Sequence, residues 1–238
     1  FLQKNRTVIE NRGFQVSDTE QPDVIYTVKN GMVLRNDGSL SGLMPSEDEV
    51  LYLPNGIEKI DSDALQGQNH LNTIVMPADG TVVQSDGALF EKYTIKNVIC
   101  YNQDQVNAIR AVAPEGITIQ TCSKKNGYTY FVTEENTAVL LSAPETITEF
   151  TGTELGEGIS ICEIGNYAFD SAGPLGNLYF GEHLVKIGQQ AFNFAGLTSF
   201  VADAESVEYG AFAECQCLTS LHFTARMKRF GENCIVNC

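Results

Sequence analysis

The sequence predicts a β-rich α/β solenoid, in which short parallel strands stack along one side of a repeating coil. The first observation is a recurring hexapeptide, which reads IGNYAF at 164–169, IGQQAF at 187–192 and VEYGAF at 207–212. The second is an apolar–x–apolar step after each motif, the pattern of a short strand with one buried face. A unit of about 23 residues with one such strand buries its apolar face only when neighbouring units stack on it. The repeat therefore predicts a continuous core shared by stacked coils.

Four of five units share one register of apolar residues. With the Ala of each motif taken as zero, Ala64, Ala88, Ala168 and Ala211 are followed by apolar residues at +1, +7, +10 and +12, and the unit of Ala191 has its later positions one residue early. The residues at +10 and +12 are predicted to point into the core. The residues between them are predicted to point outward, and these are Val75, Ile99, Tyr179, Val201 and His222.

A longer period divides the chain into two arrays. Residues 26–76 match residues 130–180 at a constant offset of 104. Each array is predicted to open with a β-hairpin, because alternating apolar residues flank an Asn30–Gly31 turn in the first and a similar pattern recurs at 128–143. The predicted segments are an N-terminal extension at 1–23, a first array at 24–122 and a second array at 123–238.

The two arrays are predicted to end differently. A short amphipathic helix near 103–114 is expected to cap the last coil of the first array. The boundary is placed at Ser123–Asn126, which is polar and turn-like. The second array ends within a repeat, because Cys238 falls on the register of Cys215 and no capping helix follows. We favour truncation of a longer protein over protection of this end by a partner.

The repeated residues resemble the BspA-like (type 5) leucine-rich repeats, whose pattern is I-G-x-x-A-F-x-x-C-x-x-L-x-x-L-x-[ILF]-P. The stretches CEIGNYAF, VKIGQQAF and VEYGAFAECQCLTSLHF carry the resemblance, which covers most of 24–238. It implies a leucine-rich-repeat right-handed superhelix in a bacterial (or protist) cell-surface or secreted protein. It also implies a non-enzymatic module that binds a protein or glycan ligand, including adhesion to host proteins. The alternative is a structural spacer, or an accessory region of a larger surface protein or enzyme.

The first array departs from the family pattern more than the second does. Asp61 and Gln84 replace the glycine in the first array, and only Cys215 and Cys238 stand where the family has cysteine. Gly188 is interpreted as a turn residue rather than part of a phosphate-binding loop. The residues predicted to have a purely structural role in the repeat are Ile164, Gly165, Ala168, Phe169, Ile187, Gly188, Ala191, Phe192, Ala211, Phe212 and Cys215.

Composition excludes several classes of partner. The chain has 15 Lys and Arg residues and 30 Asp and Glu residues, so its formal net charge is −15. This charge argues against binding to nucleic acid or to an anionic membrane surface, because both require clustered cations. No apolar run reaches about 18 residues, so we expect no membrane insertion. The three His residues are isolated, and no catalytic or nucleotide-binding motif is present. We therefore predict no catalytic residue, metal or cofactor.

The seven cysteines include no C-x-x-C pair. Buried free thiols are the favoured interpretation, because free cysteine behaves as a small hydrophobic residue. Cys215 and Cys238 occupy equivalent positions in adjacent coils. Neighbouring strands lie about 4.8 Å apart, and bridged cysteines have Cα atoms roughly 4.4–6.8 Å apart. A disulfide between them therefore stays open as the alternative.

Binding is predicted on the outward face of the second array. Tyr179, Val201 and His222 are expected to form a ladder across three coils, and the flanking residues on one side are Asn177, Ser199 and Ser220. Such a mixed strip is typical of a protein-binding surface, although an ordinary exposed sheet carries similar residues. An enzymatic alternative would use the irregular segment 101–135, whose charged residues include Asp104, Glu115, Lys124 and Lys125. It is less favoured, because no nucleophile–base pair is present there.

Overall fold

The computed structural model describes residues 25–133, 136–151 and 155–238. The predicted N-terminal extension at 1–23 lies outside the described residues. The chain divides into two compact units between Thr121 and Cys122. Each unit consists mainly of short strands, and in the described residues helix is limited to two short segments in the first unit.

The first unit contains two four-stranded sheets. One has the strand order β1–β2–β3–β5 and the other has the order β4–β6–β7–β8. All pairs in the second of these sheets are parallel. The elements are β1 (Tyr26–Lys29), β2 (Met32–Arg35), β3 (Ser39–Leu43), β4 (Val50–Tyr52), β5 (Lys59–Ile60), β6 (Thr73–Val75), α1 (Ala88–Lys92), β7 (Asn97–Cys100), α2 (Gln103–Arg110) and β8 (Thr118–Thr121).

The second unit contains one seven-stranded sheet and two separate two-stranded sheets. The long sheet has the order β19–β17–β15–β13–β11–β10–β9, and the short sheets are β12–β14 and β16–β18. The elements are β9 (Ser123–Lys125), β10 (Tyr128–Val132), β11 (Thr137–Ser142), β12 (Ile147–Phe150), β13 (Ser160–Ile164), β14 (Leu175–Leu178), β15 (Lys186–Ile187), β16 (Ser199–Ala202), β17 (Ser206–Val207), β18 (Ser220–Phe223) and β19 (Arg229–Phe230).

Successive coils pair in parallel, and this confirms the predicted β-solenoid. Ile164 pairs with Ile187, Ile187 with Val207, and Val207 with Phe230. These residues are the first positions of the recurring hexapeptides and of the next coil. The apolar residues of the repeat thus stack in columns because each coil places them at the same point of its circuit.

The opening strands of the two units share one connectivity, which corrects the predicted offset of 104. In each unit two antiparallel pairs precede a parallel pair, as β1–β2–β3–β5 and as β9–β10–β11–β13. The turn at Asn30–Gly31 therefore corresponds to Asn126–Gly127, an offset of 96, whereas Ile60 and Ile164 differ by 104. Insertions between these strands shift the offset, so the match of residues 26–28 with 130–132 was wrong.

The segment Ser123–Asn126 was expected to be turn-like, but its first three residues form β9. Lys125 pairs with Tyr128 and Ser123 with Tyr130, so this segment belongs to the sheet of the second unit. The turn lies at Asn126–Gly127, where both residues have positive φ, 51° and 83°. Two consecutive residues of this conformation make the tight turn that an Asn–Gly pair favours between antiparallel strands.

Phenylalanine rings form a column through the core of the second unit. Phe192 stacks on Phe169 with ring centroids 4.8 Å apart and on Phe212 with centroids 5.2 Å apart. Phe180 and Phe200 pack against this column at steeper angles. All five rings are buried. The Ala before each stacked Phe is also buried, and this small residue permits the close approach of neighbouring coils.

Gly188 lies at the start of a turn and is required there by close packing between coils. A Cβ added at this residue would lie 2.6 Å from Asn166 Oδ1 and 2.8 Å from the Asn166 backbone nitrogen. The Gly188 N–H donates to the Ile164 carbonyl at 2.7 Å, which holds the two coils together at this point. Gly188 also opens a turn, because the Ala191 N–H donates to the Gly188 carbonyl at 3.3 Å, which agrees with its interpretation as a turn residue. Its φ is not positive, so glycine is required here by the lack of space for a side chain.

The helix α2 of the first unit is held by the buried side chain of Gln105. Its Nε2 donates to the carbonyls of Pro77 and Thr81, both at 2.9 Å, and its Oε1 accepts from the Tyr101 N–H at 2.7 Å. Asn102 caps the helix by accepting from the Gln105 N–H. Neither helix in the described part of the chain is long and apolar enough to cross a membrane.

Candidate functional site

A groove lies in the second unit where the sheet is interrupted. Leu175 of β14 forms a single bridge with Leu197, which lies just before β16, and β14 and β16 themselves belong to different sheets. The groove has a volume of about 390 Å³. It is lined by Asn177, Leu178, Tyr179, Phe180, Gly181, Leu184, Ser199, Phe200, Val201, Asp203, Ser220 and His222.

All six residues predicted to bind a ligand line this groove. Val201 pairs with His222 and Ser199 pairs with Ser220 across β16 and β18. Asn177 and Tyr179 lie on the other side of the interruption, where Asn177 pairs with Glu149 of β12. Tyr179 is 63% exposed and Val201 is 60% exposed, while Asn177, Ser199, Ser220 and His222 are also exposed. The structure therefore places the predicted strip and its polar flank around one concave surface.

The floor of the groove is apolar. Phe180, Leu184 and Phe200 line it, and all three side chains are buried members of the core of the second unit. Gly181 follows Phe180 with a φ of 82°, a conformation that glycine adopts without steric cost. The interruption of the sheet thus brings solvent into contact with the edge of the aromatic core.

Asp203 is held in place by residues of the following coil. Thr224 Oγ1 donates to Asp203 Oδ1 at 2.5 Å, and Arg226 Nη1 lies 3.6 Å from Asp203 Oδ2. The same Arg226 atom donates to the carbonyls of Glu182 and Asp203. The role of Arg226 was not predicted from the sequence, because its contacts reach 44 positions back to Glu182 and 23 positions back to Asp203.

The outward repeat position is not exposed in the first unit. Val75 and Ile99 occupy the same position as Tyr179 and Val201, yet they are 2% and 0% exposed. Both lie outside the core cluster of the first unit, as expected for outward residues. They are nevertheless covered, so the expectation that they are solvent-facing was wrong. Position in the repeat determines which face of the strand a residue occupies, whereas exposure depends on what covers that face.

The seven cysteines are free thiols in the structure. Cys215 Sγ donates to the Phe192 carbonyl at 3.0 Å, and Cys238 Sγ donates to the Phe212 carbonyl at 3.1 Å. These two bonds are equivalent in adjacent coils, so the thiols satisfy backbone acceptors rather than bridge to each other. Burial raises the pKa of Cys215 to about 11, with a smaller contribution from the nearby Cys238.

Residues that could support catalysis are scattered. His70, His183 and His222 are exposed, as are Asp104, Glu115, Lys124 and Lys125 of the irregular segment considered for an enzymatic role. In the described ranges 25–133, 136–151 and 155–238, no group of three or more His, Cys, Asp or Glu side chains could hold a metal ion. The groove, in contrast, combines a concave shape with varied side-chain chemistry.

Three solved structures of leucine-rich repeat proteins match this chain at low sequence identity. A leucine rich cell surface protein from Faecalibacterium prausnitzii A2-165 is 10% identical, with a TM-score of 0.30 over 87% of this chain and 96% of that chain. A T. pallidum leucine rich repeat protein is 14% identical, with a TM-score of 0.25 over 93% and 89% of the two chains. A leucine-rich repeat protein from Bacteroides ovatus ATCC 8483 is 16% identical, with a TM-score of 0.22 over 93% and 80%. No curated protein matches the sequence.

The repeats themselves match a family model. Six copies of the BspA type leucine rich repeat region cover residues 47–129 and 146–238, which is more than half of the chain. The matched ranges contain all three of the recurring hexapeptides and the residues that line the groove. The resemblance predicted from the sequence is therefore confirmed, and the chain belongs to the BspA-type leucine-rich repeat family.

Proposed function

We propose that this chain is a non-enzymatic binding module that takes a protein partner into the groove of its second unit. Membership of the leucine-rich repeat family supports a protein-interaction role. The observation that carries the proposal is the convergence of Tyr179, Val201 and His222 on one groove over an apolar floor. Stacked repeats leave such non-repeating surface residues free to vary without disturbing the core.

The chemistry of the groove fits a protein partner. Energetically important contacts in protein interfaces cluster where an aromatic or apolar side chain enters a pocket surrounded by polar groups. Here Tyr179 and Val201 provide the apolar centre, while Asn177, Ser199 and Ser220 provide a polar border. Tyrosine contributes both a large contact area and a hydroxyl that finds a hydrogen-bond partner.

The cellular setting is also part of the proposal. Family membership supports a bacterial cell-surface or secreted protein whose coils wind as a right-handed superhelix, and adhesion to host proteins is the role that this setting favours. The formal net charge of −15 favours a protein or glycan partner over nucleic acid. In this scheme the arrays at 24–122 and 123–238 are separate parts of the module, and the second array carries the binding surface.

A matched pair of double variants tests the proposal. The groove variant is Tyr179→Ala with Val201→Asp, and the control variant is Tyr209→Ala with Val185→Asp. Tyr209 and Val185 are both 45% exposed in the same unit but do not line the groove. Biolayer interferometry would compare both variants with the native chain against immobilised extracellular-matrix proteins and a glycan array.

We expect the groove variant to lose at least tenfold in affinity for the protein partner, while the control variant keeps it. Equal binding by the groove variant and the native chain would overturn the proposal. Groove-dependent binding to glycans alone would replace the protein partner with a glycan. Binding by none of the three would favour the alternative in which the chain is a structural spacer or an accessory region of a larger surface protein or enzyme.

A further inference from the structure

The strands that border the groove have free edges. In the first unit, β6 and β7 pair at three successive positions, from Thr73 with Asn97 to Val75 with Ile99. In the second unit, Leu175 of β14 bridges to Leu197 just before β16, and β14 and β16 themselves are not paired within the described range 155–238. A strand edge without a pairing partner presents backbone N–H and carbonyl groups that an extended segment of another protein can bind.

The space between the separated strands suits one bulky side chain with its flanking backbone. Its volume of about 390 Å³ lies near the lower end of the range for ligand pockets. The floor formed by Phe180, Leu184 and Phe200 offers apolar contact, and Tyr179 and Val201 stand exposed at either side. Burying an aliphatic or aromatic side chain there stabilises a complex by removing apolar surface from water.

The groove carries one carboxylate, which forms an ion pair with Arg226. Among the lining residues, Asp203 is the one Asp, Glu, Lys or Arg side chain. Thr224 and Arg226 fix its orientation, and Arg226 also donates to the carbonyl of Glu182. The carboxylate is still about one-third exposed, so it can accept further hydrogen bonds from a ligand. With a formal net charge of −15, the chain attracts cationic partners in preference to anionic ones.

We infer that the groove binds an extended protein segment, which adds as a strand to the free edge of β16. This segment carries a bulky apolar residue two positions from a lysine or arginine. Strand pairing is residue to residue, so ligand residues opposite Val201 and Asp203 are two positions apart. The apolar side chain lies on the same face as Val201 and packs between Tyr179 and Val201, and the cation pairs with Asp203. This inference rests on the proposed function and specifies the chemistry of its partner.

A displayed library of random 12-residue peptides, selected on the native chain and counter-selected on the groove variant, tests the inference. We expect enrichment of sequences with the pattern apolar–x–Lys or apolar–x–Arg. The best synthetic peptide should bind Asp203→Asn about tenfold more weakly than the native chain, and Asp170→Asn equally well. Asp170 is an exposed carboxylate outside the groove.

Two changes to the peptide keep the test independent of the variants' folding. Replacing its lysine by norleucine should weaken binding to the native chain about tenfold. Methylating successive backbone nitrogens should weaken binding at alternate positions only, because alternate N–H groups of a paired strand face its neighbour.

Three outcomes would overturn the inference: no enrichment over the groove variant, enriched peptides without the cation, or methylation effects without alternation. If a matrix protein still depends on Tyr179 and Val201 while the peptides fail, the proposed function stands and strand addition is wrong. If neither protein nor peptide responds to the groove variant, both proposals are wrong.

Discussion

The outer sheet of the first unit is continuous, whereas the corresponding sheet of the second unit is broken. In the first unit β4, β6, β7 and β8 pair without interruption, and the outward residues Val75 and Ile99 are buried. In the second unit the sheet separates into β12–β14 and β16–β18, and the outward residues Tyr179 and Val201 are exposed beside a groove. The same repeat position therefore serves stability in one unit and is available for binding in the other.

The composition of the strands explains where the break falls. The strand β6 reads Thr-Ile-Val, which suits a sheet, whereas β14 reads Leu-Gly-Asn-Leu. Glycine and asparagine are unfavourable in strands, and glycine has no side chain to pack across the pair. A Cβ at Gly176 would overlap the carbonyl oxygen of Thr148, so this glycine permits tight pairing with β12 on one side. On its other side β14 does not pair with β16.

The two cores also differ in the residue that follows the repeat alanine. The first unit has Leu65 and Leu89 at this position, while the second unit has Phe169, Phe192 and Phe212. All five side chains are buried. Stacked rings gain about 0.5–1.5 kcal/mol per pair beyond the burial of their area. The aromatic column thus stabilises the coils of the second unit where its outer sheet contributes less.

The largest expected effect concerns this column. Phe192→Ala should lower the free energy of unfolding by about 3–5 kcal/mol, because it leaves a cavity between two stacked rings. Leu65→Ala in the first unit should cost about 2–5 kcal/mol and affect that unit instead. Urea denaturation would give the free energies, and hydrogen exchange would show which unit loses protection. Equal loss of protection in both units after either change would contradict separate cores.

A smaller effect distinguishes the two outward faces. Ile99→Ala should cost about 2–5 kcal/mol, because the side chain is fully buried. Val201→Ala should change the free energy of unfolding by no more than about 0.5 kcal/mol, because its side chain is exposed. Thermal and urea denaturation of both variants would measure the difference. Similar costs for both would show that the exposed face of the second unit also contributes to folding.

The buried side chain of Gln105 in the first unit gives a third test. Gln105→Leu should lower the free energy of unfolding by about 1–3 kcal/mol, because the carbonyls of Pro77 and Thr81 and the N–H of Tyr101 lose their partner. Gln103→Leu is the control, since this neighbouring helix residue is exposed. Urea denaturation would compare the two variants. A cost at Gln105 no larger than at Gln103 would mean that these hydrogen bonds do not hold the helix.

The last test measures thiol reactivity in the native protein and involves no change in stability. In the native protein the exposed Cys217 should react with a thiol reagent at about pH 8 much faster than Cys215. Burial raises the pKa of Cys215 to about 11, so its thiolate is scarce until the pH approaches that value. Mass spectrometry of labelled peptides would follow each site. After denaturation without reductant all seven thiols should react, and fewer than seven would reveal a disulfide.

Much of the fold could be predicted because burial in a solenoid repeats along the chain. Ile187, Ala191 and Phe192 recur at fixed intervals since each coil must fill the same place in the column, and these residues are buried. The offset of 104 failed in the opening strands, because insertions there change the spacing without changing the connectivity. Gly188 could be predicted as a turn residue, but its close contact with the preceding coil could not, since that contact leaves no mark in the local sequence.

The repeat pattern alone predicts which residues face the core, how the coils stack and the family to which the chain belongs. These features depend on periodic burial, which each unit of the chain expresses locally. Three further features become visible only in the folded chain: Val75 and Ile99 are covered, the sheet separates after Leu175 and Leu197, and Arg226 reaches across coils to Asp203. These features depend on pairing and packing between segments far apart in sequence, which no single repeat encodes.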